Sequence, residues 1–226
     1  MSRGDQTQLP GFALQMKGTP IVRHQDVDLE IEVKFHLIDI NHIRQRIVEL
    51  KAGSEGRIFE KNIRFDTHSE ELRRSSALLR LRQDLQTRLT FKSTPPESDD
   101  QFKVHHELEV NVSDFGTMRR MLHALGYKHE QIYEKWRETF TANRIKLCLD
   151  SMPYGDFLEL EGDRDKIIGT AAQLGLDWRK RILANYLEIF QTLKQSMQLA
   201  FDDVTFENFR IIDPIPADFM QRFEAG

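Results

Sequence analysis

Between Leu29 and Phe35 the chain reads Leu-Glu-Ile-Glu-Val-Lys-Phe, with Glu30, Glu32 and Lys34 alternating strictly with Ile31, Val33 and Phe35. Successive side chains on a strand point to opposite faces, so this stretch has one apolar face and one charged face. In a lone strand the charged face simply meets water, as one face of an antiparallel sheet commonly does. Here the same alternation returns again and again along the chain, and that recurrence limits what it can fold into.

The strand predicted over 27–37 leads to a helix. Asp39 or Asn41 can cap it, Ile40, Ile43, Ile47 and Leu50 fall at helical spacing, and Gly53 is the expected stop. A period of two then resumes. Residues 57–66 read as a strand in which Ile58 and Ile63 are out of phase, which predicts a bulge between them. Residues 77–83 and 87–93 form a hairpin around the turn at 84–86, and 93–100 is turn-rich. In 102–112, Val104, Leu108 and Val110 oppose Lys103, His105, Glu107 and Glu109. A second helix is capped at Ser113 or Asp114, carries Phe115, Met118, Leu122 and Leu125, and stops at Gly126. Three more strands follow from about 130 to 161, with Trp136 on the apolar parity, and helices are expected over 164–175 and 179–199.

Composition narrows the class. The 226 residues allow one large domain or two small ones. We expect an extension over 1–25, one main domain over 26–203 and a tail over 204–226. Hydrophobic residues make up 39% and charged residues 30%, which suits a soluble globular protein. No apolar run approaches the ~18 residues of a membrane span, and the first 24 residues lack the order of a secretory leader. One cysteine, Cys148, leaves no internal disulfide and fits a reducing, cytoplasmic setting. The net charge of −4 gives no general drive toward nucleic acid or membrane, so any polyanion must meet a local basic cluster.

Sorted by parity, about eight strands place their apolar faces toward amphipathic helices. The opposite face gathers Glu30, Glu32, Glu107, Glu109, Asp150, Glu159 and Glu161 with Lys34, Arg80, Arg82, Arg88, Lys92, Lys135 and Arg137. An eight-stranded sheet that closes on itself puts one face inside a barrel. Charges buried there need partners, because an unpaired buried ion costs several kcal/mol. Polyphosphate chemistry uses both signs at once. Arginine and lysine take phosphate oxygens, and carboxylates hold Mg²⁺ or Mn²⁺, which bridges the same oxygens.

On these residues the chain resembles the CYTH superfamily, the triphosphate tunnel metalloenzymes. Glu30-Ile31-Glu32-Val33-Lys34 matches the ExExK pattern. It is followed in order by Leu79-Arg80-Leu81-Arg82, Leu89-Thr90-Phe91-Lys92, Glu107-Leu108-Glu109-Val110, Lys135-Trp136-Arg137, Leu149-Asp150 and the Gly155–Glu161 run, with Asn185-Tyr186 resembling the family's last helix. The resemblance spans about 28–192. It implies an α+β fold, a closed eight-stranded antiparallel β-barrel with helices packed outside. It further implies a metal-dependent enzyme that takes a triphosphate-containing small molecule, as a monomer or homodimer. By position, Glu30, Glu32, Glu159 and Glu161 would hold Mg²⁺ or Mn²⁺, with Glu107 and Glu109 holding metal or orienting the bases, and Asp150 assisting metal or leaving group. Lys34, Arg80, Arg82, Lys92, Lys135 and Arg137 would grip phosphate, and Glu30, Glu32 and Lys34 would carry the catalysis. Arg64 and Arg88 suit the surface as well as the site.

Two reactions fit that implied tunnel. Water attacks the terminal phosphorus of tripolyphosphate, thiamine triphosphate or a nucleoside triphosphate, or a ribose hydroxyl closes on the α-phosphorus to give cyclic AMP and pyrophosphate, as in class IV adenylate cyclases. The Glu-Ile-Glu-Val-Lys-Phe wording leans toward the hydrolases, and a noncatalytic polyphosphate- or nucleotide-binding module is the third reading. The smaller features read more plainly. His105 and His106 point to opposite faces and cannot share one ion. Cys148 lacks a partner motif and is expected to be a bystander. Arg179-Lys180-Arg181 reads as a solvated helix face, with Trp178 anchoring that helix.

Overall fold

Alternation along the chain becomes a sheet with two unlike faces. The computed structural model describes residues 28–96, 99–216 and 218–225; the expected extension over 1–25 lies outside them. In chain order the elements are β1 (Asp28–Leu37), α1 (Ile40–Glu49), β2 (Gly53–Asp66), α2 (Glu71–Arg74), β3 (Ala77–Gln83), β4 (Thr87–Ser93), β5 (Lys103–Val112), α3 (Phe115–Ala124), β6 (His129–Ala142), β7 (Ile145–Met152), β8 (Gly155–Glu161), α4 (Arg164–Gln173), β9 (Arg181–Ile182), α5 (Tyr186–Met197) and α6 (Phe206–Phe209). The sheet runs β5-β4-β3-β2-β6-β7-β8-β1, and β1 pairs back onto β5 to close a ring of eight antiparallel strands. The N-terminal half of β1 makes that closure, with Glu30 opposite His105 and Glu32 opposite Lys103, while its C-terminal half pairs with β8 and with the short β9. Closing the ring leaves both edges of these strands paired where they overlap.

Outside the ring, helices cover most of the apolar face. The Asp39 carboxylate caps α1 through the Asn41 and His42 amides, and Ile43 and Ile47 pack with Val33, Phe35, Leu147, Leu149, Leu158, Leu160 and α4's Ile167 in one core. Lys51, at φ 56°, turns the chain after α1. Gly53, the expected stop, already belongs to β2. A second core lies under α3 against Ile63, Phe65, Leu79 and Leu81. A third joins the inward-facing Tyr133, Met152 and Phe157 to α5, and to Val204, Phe219 and Met220 of the tail, and it plugs one end of the ring. The tail after 204, unplaceable by pattern, is thus packed: Val204 bridges Tyr133, and Glu224 bridges Ile182.

Several local expectations differ. The bulge in β2 lies between Ser54 and Gly56, and from Arg57 to Asp66 the register with β6 is unbroken. Ile58 therefore simply faces inward, opposite Arg137. The helix expected over 179–199 starts at Tyr186, because Asn185 and Glu188 form a reciprocal capping box there. Upstream, Trp178–Lys180 is one 3₁₀ turn, and Trp178 packs against Phe35 and Phe102. Arg181 is not solvated: it is buried and donates to the carbonyls of Gln101 (3.2 Å), Trp178 (3.1 Å) and Asp100 (3.3 Å). Trp136, expected in the core, is half-exposed on the outer face, edge-on to Phe59 with Arg57 over its ring at 5.0 Å. Leu108 and Val110, the expected apolar face of β5, are exposed because the described helices leave that stave uncovered.

Candidate functional site

Inside the ring the charged residues enclose a cavity of about 770 Å³. Glu30, Glu32, Lys34, Arg80, Arg82, Lys92, Glu107, Glu109, Lys135, Arg137, Glu159 and Glu161 all line it, as do Arg64 and Arg88. Of the candidate residues only Asp150 does not. It is fully buried behind the wall.

One ion-pair chain runs across six strands of the wall, β1, β8, β7, β6, β2 and β3. Lys34 Nζ is 3.0 Å from Glu159, and Glu159 also pairs with Arg137. Arg137 grips Asp150 through Nε (2.6 Å) and a terminal nitrogen (2.5 Å). Asp150 further accepts from Lys135 (2.8 Å) and from the Tyr186 hydroxyl (2.8 Å). Lys135 lies 3.6 Å from Glu60, which lies 3.2 Å from Arg82, and Arg82 Nε donates to Asn62 at 2.9 Å. Both oxygens of Asp150 are therefore occupied by cations and a hydroxyl, an arrangement unlike the metal-assisting role expected for it. Tyr186 also lays its ring 4.6 Å from Lys34 Nζ.

A second group faces it from β1, β3, β4 and β5. Lys92 pairs with Glu30 and, at 2.9 Å, with Glu107; Lys103 lies 3.4 Å from Glu32. Arg80 donates to Thr90 (3.1 Å), whose hydroxyl donates to Glu109 (2.8 Å), and Arg88 lies 3.6 Å from Glu109. Glu161 stands apart at the rim, 2.9 Å from the half-exposed Lys146.

Electrostatics separates neighbours of one type. Burial, then Glu32 and Glu107, raise Glu30 to about 7 although Lys92 opposes them. Burial and Glu159 also push on Glu32, but Lys34, Lys103 and Lys92 outweigh them and hold it near about 2. Burial would discharge Lys34, yet Glu159 and Glu32 leave it above its ordinary value, so it is a full cation. Burial lifts Cys148 to about 11, which makes it an inert thiol. His105 does line the cavity, and burial with Lys103 lowers it to about 4, so it is neutral.

Among the described residues no three His, Cys, Asp or Glu side chains converge tightly enough to hold a cation by themselves. The donor set nonetheless fits a hard cation, being almost all carboxylate oxygen. Glu30 in particular is a buried carboxylate crowded by two others, the condition a divalent ion relieves. Among the described residues no helix is long and apolar enough to cross a membrane.

Two wall residues escaped the pattern reading, and two more fell on the charged face without being given a role. Glu60 and Asn62 share parity with Arg64, but the outward Lys61 and the misplaced bulge hid the phase. Lys103 and Tyr133 sat on the charged parity without a motif to single them out.

Comparison with known proteins accords with this architecture. A family model for the CYTH domain matches residues 28–172, all eight strands of the ring. No curated protein matches the chain. A structure from Pyrococcus horikoshii superposes with a TM-score of 0.60 at 25% identity, covering 70% of this chain and 96% of its own. A candidate adenylate cyclase from Vibrio parahaemolyticus gives 0.65 at 20% identity, covering 73% and 98%. A Hippeastrum candidate adenylyl cyclase, described as having a dominant triphosphatase activity, gives 0.50 at 18% identity, covering 72% and 95%. These last two bear on the fold alone. With the family match spanning well over half its length, the chain belongs to the CYTH domain family.

Proposed function

We propose that the protein is a divalent-metal-dependent hydrolase of a triphosphate bound inside the ring. One observation carries this reading: six glutamates and six lysines and arginines of the candidate set line a single cavity, each sign paired with the other. A triphosphate with its metal can replace those pairings without loss, its oxygens taking the cations and its metal taking the carboxylates. Family membership supports the same chemistry.

Lys34, Arg80, Arg82, Lys92, Lys135 and Arg137 bind the phosphate oxygens and stabilise the charge that develops on transfer. Glu30, Glu32, Glu159 and Glu161 would hold Mg²⁺ or Mn²⁺, which neutralises phosphate charge when bound. Glu107 and Glu109 orient Lys92 and Arg80. Asp150 we assign to orientation as well, because Lys135, Arg137 and Tyr186 take both its oxygens. Hydrolysis asks only for a water beside the phosphorus, whereas cyclisation needs a ribose hydroxyl held in line.

The test is to incubate the protein with ATP, thiamine triphosphate or tripolyphosphate, each with Mg²⁺ or Mn²⁺, and separate the products. Orthophosphate release is the expected result. Cyclic AMP with pyrophosphate makes the protein a cyclase, and tight binding without any product makes it a binding module.

A further inference from the structure

A tyrosine on the inner wall has no part in that scheme. Tyr133 lies on β6 in phase with Lys135 and Arg137 and lines the cavity. Its ring belongs to the cluster of Met152, Tyr154 and Phe157 that plugs the ring, and the residue is only 6% exposed. Strand register sets it beside cations that line the same cavity: Tyr133 stands opposite Asn62 of β2, which stands opposite Arg82 of β3, with the Arg64–Arg80 pair one inward step along those strands and Lys135 one inward step along β6. Burial raises this phenol, but Arg80 foremost, then Arg82 and Lys135, outweigh burial and leave it below its ordinary value. Its neighbours are different. The Tyr154 hydroxyl donates to the Tyr186 carbonyl (2.8 Å) and the Tyr186 hydroxyl to Asp150 (2.8 Å), and burial pushes both phenols well up.

We propose that Tyr133 is a catalytic proton donor, a role that rests on the triphosphate reading above. Its hydroxyl, set among the cations assigned to the substrate phosphates, protonates the phosphate oxygen that departs when the P–O bond breaks. Attack by water forms one P–O bond as the other breaks. The departing oxygen takes the Tyr133 proton, the attacking water on the opposite side of the phosphorus gives its spare proton to solvent, and the phenolate is reprotonated by solvent water on the leaving-group side. One water is consumed per bond and the enzyme ends unchanged. The phenolate formed in between lies against Arg80, Arg82 and Lys135, which stabilise it without reorganisation.

Tyr133→Phe keeps the ring in its cluster and removes only the hydroxyl, so it is made in the full chain and assayed on whichever triphosphate the wild type hydrolyses. General acid catalysis contributes 10²–10⁴-fold, so kcat is expected to fall about 100-fold with KM within about threefold. An independent reading needs no substrate. In an alkaline titration followed at the tyrosinate absorbance, one of the four tyrosines should ionise ahead of free tyrosine, and Tyr133→Phe should abolish that early step. Unchanged kcat, a rise in KM alone, or no early-ionising tyrosine in the wild type overturns the assignment. A wild type that hydrolyses no triphosphate overturns the reading beneath it instead, so the two failures are distinct.

Discussion

Two kinds of acidic residue share the inner face of this ring. Glu30, Glu32, Glu107, Glu109, Glu159 and Glu161 open onto the cavity, whereas Glu60 and Asp150 are buried behind it. Parity along a strand does not separate them, since both kinds alternate with core residues. What separates them is depth and, for Glu30 and Glu32, a lysine counter-ion as well. Glu60 and Asp150 lie among Arg82, Lys135 and Arg137, and no part of either reaches the cavity. Glu30 and Glu32 pair mainly with the lysines Lys92, Lys103 and Lys34. Lysine is a point charge on a flexible stem, and it can exchange one partner for another more readily than a bidentate arginine clamp. The buried acids thus hold the basic wall in position, and the cavity acids stay free to change partners.

If that division is right, the largest effect belongs to Asp150. Asp150→Ala leaves Lys135 and Arg137 buried without their shared carboxylate and removes the acceptor of the Tyr186 hydroxyl. Breaking a buried pair from one side costs about 3–5 kcal/mol. Urea unfolding should show a loss of that size. A loss below about 1 kcal/mol would break the distinction between the two kinds of acid.

Glu32→Gln should do the reverse. The amide keeps the shape but loses the charge assigned to the metal, so turnover should fall at least about 100-fold, or ~2.7 kcal/mol of barrier. Unfolding should weaken by less than for Asp150→Ala, because Lys34 keeps Glu159 when the Glu32 charge is lost. Binding of Mn²⁺, followed by its paramagnetic effect on water relaxation, should weaken in parallel. Full turnover in this variant removes Glu32 from the metal set.

The sequence carried the ring and the charged lining because both follow from a period of two. The pattern places a residue on the inner or outer face and cannot say how deep it lies behind its neighbours. That is why Asp150 read as a cavity residue. Glu60 was hidden by Lys61, a charge on the outer face of β2 that breaks the apparent phase. Outer coverage was equally invisible: Leu108 and Leu158 look alike in sequence, but only Leu158 lies under a helix-packed core. The start of α5 depended on one capping box, Asn185 with Glu188, which the amphipathic period upstream obscured.

Glu60→Gln tests the buried class at its weaker member. Arg82 keeps Asn62 and Lys135 keeps Asp150 when the Glu60 charge is lost, so the cost should be about 2 kcal/mol, smaller than for Asp150→Ala. Its effect on turnover should track that loss of stability. A turnover defect as deep as that of Glu32→Gln would move Glu60 into the cavity class.

The smallest effect contrasts two cavity acids two residues apart. Glu30 is raised to about 7, so its stabilising protonated form is complete below an ordinary carboxylate pKa of about 4.5, and that stability is lost as pH rises through 7. Glu32 is held near about 2, so its contribution is present above 4.5 and is lost only in strong acid. In metal-free protein, Glu30→Gln should therefore be worth about 1–2 kcal/mol more, relative to wild type, at pH 8 than at pH 5. Glu32→Gln should show no such gain over that window. Thermal unfolding of the two variants at both pH values measures the difference directly. Parallel curves would mean that Lys92 shields Glu30 as fully as Lys34 and Lys103 shield Glu32, and that the crowding of Glu30 by Glu32 and Glu107 is relieved without a cation.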